Sequence, residues 1–119
     1  MTTKDIAAKL AAYCRKGEFA KAHDELYADD IISIEPYATP QFEKETKGLK
    51  NIRAKGEKFD QMVDQYHSLE ISEPVIAGNS FAFVMTMDIT MKEKGRMKMP
   101  EICVYTVKDG KINSEQFFM

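Results

Sequence analysis

The stretch of sequence that decides the fold is FAFVMTMDITM, residues 81–91. Large apolar side chains occupy every second position, and most residues between them are small or polar, which is typical of a strand with one face in the core. The same period of two recurs in three further segments, residues 67–75, 97–107 and 112–118. Turn signals at Gly78-Asn79 and Asp109-Gly110 separate neighbouring segments. The second half of the chain therefore predicts a meander of four strands.

The beginning of the chain has helical spacing instead. Residues 4–16 place apolar side chains on one face, with Thr3 as a candidate cap and Gly17 as the stop. A second, shorter helix is predicted from about Glu18 until Asp29-Asp30. The two segments together predict a pair of N-terminal helices.

The middle of the chain predicts a short strand and a long helix. Residues 31–36 read as a strand that is closed by Pro36, because proline cannot donate a hydrogen bond to the ladder of a sheet. Residues 37–48 read as an irregular segment whose conformation the sequence does not determine. This segment could cover the mouth of a pocket. Residues 49–65 return to helical spacing, with one apolar face that includes Phe59.

This order of elements predicts an α+β fold in a single domain over residues 1–119. Helices would pack on one face of a mostly antiparallel sheet. A twisted, curved sheet wrapped around a long helix makes a cone with one open end, and such a cone is a ready-made hydrophobic pocket.

The composition excludes several classes of protein. The chain has 119 residues, of which 44% are apolar, and its 17 basic and 19 acidic residues give a net charge of −2, which argues against disorder and against a nucleic-acid partner. No uninterrupted apolar run is long enough for a membrane span or a signal peptide. The two cysteines, Cys14 and Cys103, have no metal-binding spacing and predict reduced thiols in a cytoplasmic protein. Since no dinucleotide, P-loop or nucleophile-elbow motif is present, we expect no cofactor and no metal.

Three stretches resemble the nuclear transport factor 2-like superfamily, which includes SnoaL-like polyketide cyclases and ketosteroid isomerases. They are Gly17-Glu18-Phe19, YADDIISIEP at residues 27–36 and VYTVKDGKI at residues 104–112. Their order and spacing cover nearly the whole chain. The resemblance implies a cystatin-like α+β roll and a homodimer that pairs through the outer face of the sheet. It does not fix an activity, because the same cone hosts enzymes, binding proteins and assembly modules.

The resemblance also implies roles for individual residues. Glu35 lies where ketosteroid isomerases keep a proton-abstracting carboxylate, just before the proline that ends the first strand. The tyrosine and the protonated aspartate that hold the oxyanion in those enzymes fall near Leu10 and Cys103, so that pair is absent here. Polyketide cyclases place an acid near the end of the last strand, and Glu115 lies two positions before that place.

Three residues are predicted to be catalytic. Glu35 is the candidate general base, because a carboxylate desolvated inside the cone is a better base; the alternative is a strand-end glutamate in a surface salt bridge. His67 shares its parity with Leu69 and Ile71 and is predicted to face inward, either as a proton shuttle or as a core histidine bonded to the backbone. Tyr105 would orient or polarise the substrate.

Eight further residues are predicted to contact the ligand: Tyr13, Lys55, Phe59, Met85, Met87, Glu101, Cys103 and Phe117. Lys55 lies beside the apolar stripe of the long helix, where it could pair with Glu35 or Glu101 inside the cone, or extend its amine to water. Glu101 and Cys103 share one strand face with Tyr105, which either lines the pocket or packs against a helix or a second subunit. Five of the eight methionines fall between Met85 and Met99, which suits an adaptable pocket as well as plain core.

The sequence therefore predicts a protein that binds a small apolar or carbonyl-containing molecule. As an enzyme it would transfer a proton next to a carbonyl group, in an isomerisation, cyclisation or dehydration. Lys55 and Glu101 would then tune Glu35 through their charges. The alternative is a non-catalytic ligand-binding or dimerisation module of the same fold.

Overall fold

The computed structural model describes residues 1–119 and contains three helices and seven strands. The helices are α1 (Thr3–Arg15), α2 (Phe19–Leu26) and α3 (Leu49–Met62). The strands are β1 (Tyr27–Ile34), β2 (Glu45–Lys47), β3 (Val63–Ile71), β4 (Val75–Ala77), β5 (Ser80–Met91), β6 (Gly95–Lys108) and β7 (Lys111–Phe118).

All the strands belong to one curved sheet with the order β2-β1-β7-β6-β5-β3, and β4 pairs with the start of β5. Strand β1 runs parallel to β7, and every other pair is antiparallel. The predicted α+β fold is confirmed. Two short strands, β2 and β4, were not predicted, because three residues are too few to show a period.

The first helix begins one residue earlier than predicted, with Thr2 as its cap. The Thr2 hydroxyl accepts a hydrogen bond from the Asp5 amide at 3.1 Å, and the Asp5 carboxylate accepts one from the Thr2 amide at 3.2 Å. This reciprocal arrangement is a capping box, which satisfies two amides that the helix itself cannot pair. The end of the helix is as predicted, since Gly17 follows it with a φ of 69°, a conformation that favours glycine.

Two helices end earlier than their spacing predicts. Helix α2 ends at Leu26, so that Asp29 and Asp30 lie within β1 and not at a helix end. Helix α3 ends at Met62, and Val63 already pairs with Met91 of β5. In both places the chain enters the sheet directly from the helix, because pairing with a neighbouring strand outweighs local helical propensity.

The main core lies between α1 and the inner face of the sheet. Helix α1 contributes Ile6 and Leu10, and β5 and β6 contribute an aromatic cluster in which the rings of Phe81 and Tyr105 stack with centroids 5.0 Å apart. These side chains all belong to one continuous hydrophobic cluster. None of the three helices is long and apolar enough to cross a lipid bilayer.

Candidate functional site

A cavity of about 370 Å³ lies between α3 and the inner faces of β5, β6 and β7. We call it the central cavity. Its wall is mostly apolar, and it includes Met85, Met87 and Met99 from the sheet and Phe59 from α3. This volume and this apolar wall suit a small organic ligand.

The central cavity contains an ammonium group that is held by two partners. The Nζ of Lys55, on α3, donates hydrogen bonds to Glu35 Oε1 and to Ser33 Oγ, each at 3.0 Å. The side chains of Lys55 and Glu35 are only 17% and 25% exposed. Because an ammonium has three N–H donors, one of them stays available to a ligand.

The most deeply buried acid in the cavity wall is Glu115 on β7, which is 5% exposed. Its Oε1 accepts a hydrogen bond from the Tyr27 hydroxyl at 2.6 Å, and its Oε2 accepts one from the Ser33 hydroxyl at 2.8 Å. Burial raises the pKa of Glu115, against the two hydroxyl bonds, which lower it. Since Ser33 also accepts from Lys55, a chain of hydrogen bonds links the ammonium to this buried carboxyl group.

Glu101 on β6 is the acid of the cavity wall with the weakest hydrogen-bond partner. It is half-buried, lies directly across from Met85, and its carboxylate receives only a weak bond from the Cys103 thiol, at 3.8 Å. Burial, together with the negative charges of Glu35 and Glu115, raises the pKa of Glu101 to about 7. A carboxyl group with that pKa is present in both forms near neutral pH, so it can both accept and donate a proton.

His67 does not face the central cavity, because a β-bulge interrupts the alternation of β3. Tyr66 pairs with Ile89 and Ser68 pairs with Asp88, which leaves His67 as an extra residue between them. The bulge places the ring on the outer face, where Nε2 lies 2.7 Å from the Thr90 hydroxyl. The inward orientation that parity predicted for His67 is therefore not found.

Tyr13 and Cys103 also lie outside the cavity wall. The Tyr13 hydroxyl donates to Glu25 Oε2 at 2.7 Å, across the junction of α1 and α2. Cys103 is fully buried in the core beneath Glu101, and burial raises the pKa of its thiol. Cys14 does line the cavity, but burial raises its pKa to about 12, which keeps the thiol protonated and unreactive.

The structure brings most of the predicted site residues together. Eight of them line the central cavity: Glu35, Lys55, Phe59, Met85, Met87, Glu101, Tyr105 and Phe117. The irregular segment of residues 37–48 also contributes to the wall, through Tyr37, Thr39 and Phe42.

Sequence reasoning missed the environment of Glu115, which depends on Tyr27 and Ser33 of β1. The resemblance pointed to Glu115 as an acid of the last strand, but nothing in the sequence names its partners. They meet because β1 and β7 run parallel, with Ser33 paired to Glu115. Pairing between segments more than 80 residues apart leaves no local signal.

The comparisons with known proteins agree with this fold. A family model described as a SnoaL-like domain matches residues 1–119. A candidate SnoaL-like polyketide cyclase from Mesorhizobium loti, also named a carbohydrate phosphatase, is 32% identical over 100% of both chains, with a TM-score of 0.92. No curated protein matches the chain.

Two more distant structures show the fold alone. An NTF2-like protein from Burkholderia thailandensis is 19% identical, with a TM-score of 0.84, over 99% of this chain and 90% of its own. A cystatin-like protein of unknown function from Xanthomonas campestris is 18% identical, with a TM-score of 0.83 and the same coverage. The full-length family match, supported by the 32% identical structure, shows that this chain belongs to the SnoaL-like domain family.

Proposed function

We propose that the protein binds a small, mostly apolar, carbonyl-containing molecule in the central cavity and transfers a proton at the carbon next to the carbonyl. Glu101 carries this proposal: it is a carboxyl group with a pKa of about 7 in a mostly apolar wall. A base whose pKa lies near the working pH is the most effective one. Membership of the SnoaL-like family supports the binding of a small molecule.

In this mechanism Glu101 takes the proton and Lys55 stabilises the charge that develops. As the proton leaves carbon, negative charge collects on the carbonyl oxygen. The unused N–H of Lys55 would donate to that oxygen, and Glu35 and Ser33 hold the ammonium in place beforehand. A preorganised donor of this kind is worth a factor of about 10² to 10³ in rate. Lys55 thereby supplies what the missing oxyanion pair of the isomerases would supply.

Glu35 and Tyr105 take supporting roles in this proposal. Glu35 is ion-paired with Lys55, so we assign it to hold the ammonium and not to act as the base. Tyr105 lines the cavity and is 2% exposed, and burial raises the pKa of its phenol well above its usual range. A phenol that stays protonated can donate a hydrogen bond to the ligand.

Ligand binding in the cavity is tested with a variant in which a larger side chain fills the cavity. A panel of apolar ketones and aldehydes is screened by thermal shift, and a compound at one hundred times its Kd should stabilise the protein by about 2.7 kcal/mol. Met99→Trp places an indole in the cavity and should abolish the shift. Met97→Trp is the matched control, because Met97 lies two residues along the same face of β6 but outside the cavity wall. Equal shifts in both variants would place the ligand elsewhere.

We also propose that two copies of the chain associate through the outer face of the sheet. Val84, Ile102 and Phe118 lie side by side across β5, β6 and β7, and each is more than 40% exposed. A contiguous row of large apolar side chains on a sheet is typical of an interface.

For this interface we expect the wild-type chain to sediment as a dimer and Ile102→Glu to sediment as a monomer, because a carboxylate in the row would be desolvated on pairing. Analytical ultracentrifugation measures both. Ser68→Glu is the control, since Ser68 is exposed on the edge strand β3. A wild-type monomer would contradict the proposal.

A further inference from the structure

We infer that the natural ligand of the central cavity carries a positive charge, as a protonated amine or a quaternary ammonium on an apolar body. This inference rests on the proposed function only in requiring that the cavity binds a ligand. It extends that proposal by naming the charge class of the molecule. Two independent features of the wall support it, the balance of charges and the aromatic rings.

Carboxyl groups outnumber ammonium groups in the wall of the central cavity. Four carboxyl groups, those of Glu35, Asp60, Glu101 and Glu115, face one ammonium, that of Lys55. The remaining titratable nitrogen base in the wall is His23, and its burial favours the neutral ring by lowering its pKa. A cleft lined by one sign of charge within low-dielectric walls concentrates ligands of the opposite sign.

The single ammonium is already matched by a carboxylate. Lys55 is bonded to Glu35, whereas Glu101 makes no ion pair and has only the Cys103 thiol as a hydrogen-bond partner. A carboxylate in an apolar wall is costly unless a positive charge accompanies it. A cationic group on the ligand would provide that charge and would keep Glu101 in the ionised form that a base requires.

The aromatic rings of the wall are suited to the same kind of group. Six of them are Phe19, Tyr37, Phe42, Phe59, Tyr66 and Phe117. Two of these rings already lie beneath ammonium groups of the protein: Lys55 Nζ is 6.0 Å from the centroid of Phe117, and Lys58 Nζ is 5.2 Å from that of Phe42. The faces of aromatic rings attract organic cations, including quaternary ones that cannot form hydrogen bonds.

Other charged ligands fit the cavity less well. The carboxyl groups are not grouped so that they could hold a metal ion, which leaves an organic cation as the matching occupant. A phosphate or a carboxylate would add negative charge beside four carboxyl groups. The two nearby ammonium groups, those of Lys55 and Lys58, are already bonded to Glu35 and to the Gln41 carbonyl.

The test compares three probes that each contain a phenyl ring and differ in charge. They are the cation benzyltrimethylammonium, its neutral isostere neopentylbenzene, and the anion benzylphosphonate. Isothermal titration at pH 7.5 should show the cation binding about tenfold more tightly than the neutral probe, and no binding of the anion. Glu101→Gln should weaken binding of the cation about tenfold and leave the neutral probe unchanged. Glu70→Gln is the matched control, because Glu70 is exposed on β3 and pairs with Thr86, away from the cavity.

Each outcome has a distinct meaning. A neutral probe that binds as tightly as the cation, or an anion that binds best, overturns the inference and leaves the proposed function intact. If none of the probes binds, the inference is overturned, and the screen of ketones and aldehydes decides the proposed function separately. A cation preference that persists in Met99→Trp would place the site outside the cavity and would also overturn the inference. Melting temperatures of the unliganded variants show whether each one is folded.

Discussion

Glu101→Gln should lower kcat/KM for proton transfer by about 10² to 10⁴-fold, because an amide cannot take up the proton. The change should appear mostly in kcat, since glutamine keeps the size of the side chain and most contacts with the ligand. The measurement needs no knowledge of the complete reaction. A carbonyl compound found by thermal shift is incubated with the protein in D₂O, and exchange of the hydrogens next to the carbonyl is followed by NMR.

Two controls make this result specific to Glu101. In the wild type, kcat/KM should rise as the pH increases through about 7, the range in which Glu101 loses its proton. In Glu35→Gln, Lys55 keeps its bond to Ser33, so we expect a smaller loss, with a pH profile shifted to lower pH because the charge of Glu35 helps to raise the pKa of Glu101. A larger loss in Glu35→Gln would return the role of base to Glu35. Unchanged exchange in Glu101→Gln would remove the proposed mechanism.

Phe81→Ala should reduce the free energy of unfolding by about 3 to 5 kcal/mol, a large share of the roughly 5 to 15 kcal/mol typical of a domain. Phe81 is 2% exposed and its ring stacks on Tyr105, so its removal leaves a cavity that the rigid sheet cannot close. Urea denaturation measures the change as a lower midpoint at an unchanged slope.

Two further variants test whether packing causes the loss at Phe81. Phe81→Leu fills most of the space and should cost much less. Val75→Ala, at a position 69% exposed on β4, should change stability by less than about 0.5 kcal/mol. Similar losses in Phe81→Leu and Phe81→Ala would show that the stacked rings matter more than the filled volume.

The fold could be predicted because its main signals are local. The alternation of residues 81–91 appears within one strand, and the helical stripe of α3 appears within one helix. The places where prediction failed are those where one element meets another. Asp29 and Asp30 look like a helix end, but the chain has already joined the sheet there, and pairing with neighbouring strands overrides their low strand propensity.

The residues of the candidate site, too, could be predicted where the signal is local and not where it depends on contacts between elements. Glu101 and Tyr105 could be placed on the same strand face by alternation alone, and the spacing of α3 brought Lys55 to the edge of the apolar stripe. The outward turn of His67 could not be foreseen, because a single extra residue reverses the parity of a strand. The ion pair of Lys55 with Glu35, which leaves Glu101 unpaired, was one of two options that the sequence allowed. Distances in the folded chain are needed to choose between them.

The mouth of the cavity is built differently from its interior. Tyr37, Thr39 and Phe42 come from the stretch between β1 and β2, whose links to the rest of the fold include a bond from the Glu35 amide to the Lys44 carbonyl and one from Lys58 to the Gln41 carbonyl. Glu101 and Lys55, in contrast, are fixed on a long strand and a long helix. Insertions or exchanges in the segment would leave the register of the sheet untouched. Under the proposed function, substitutions in this rim would alter which ligands the cavity accepts while Glu101 and Lys55 keep their places.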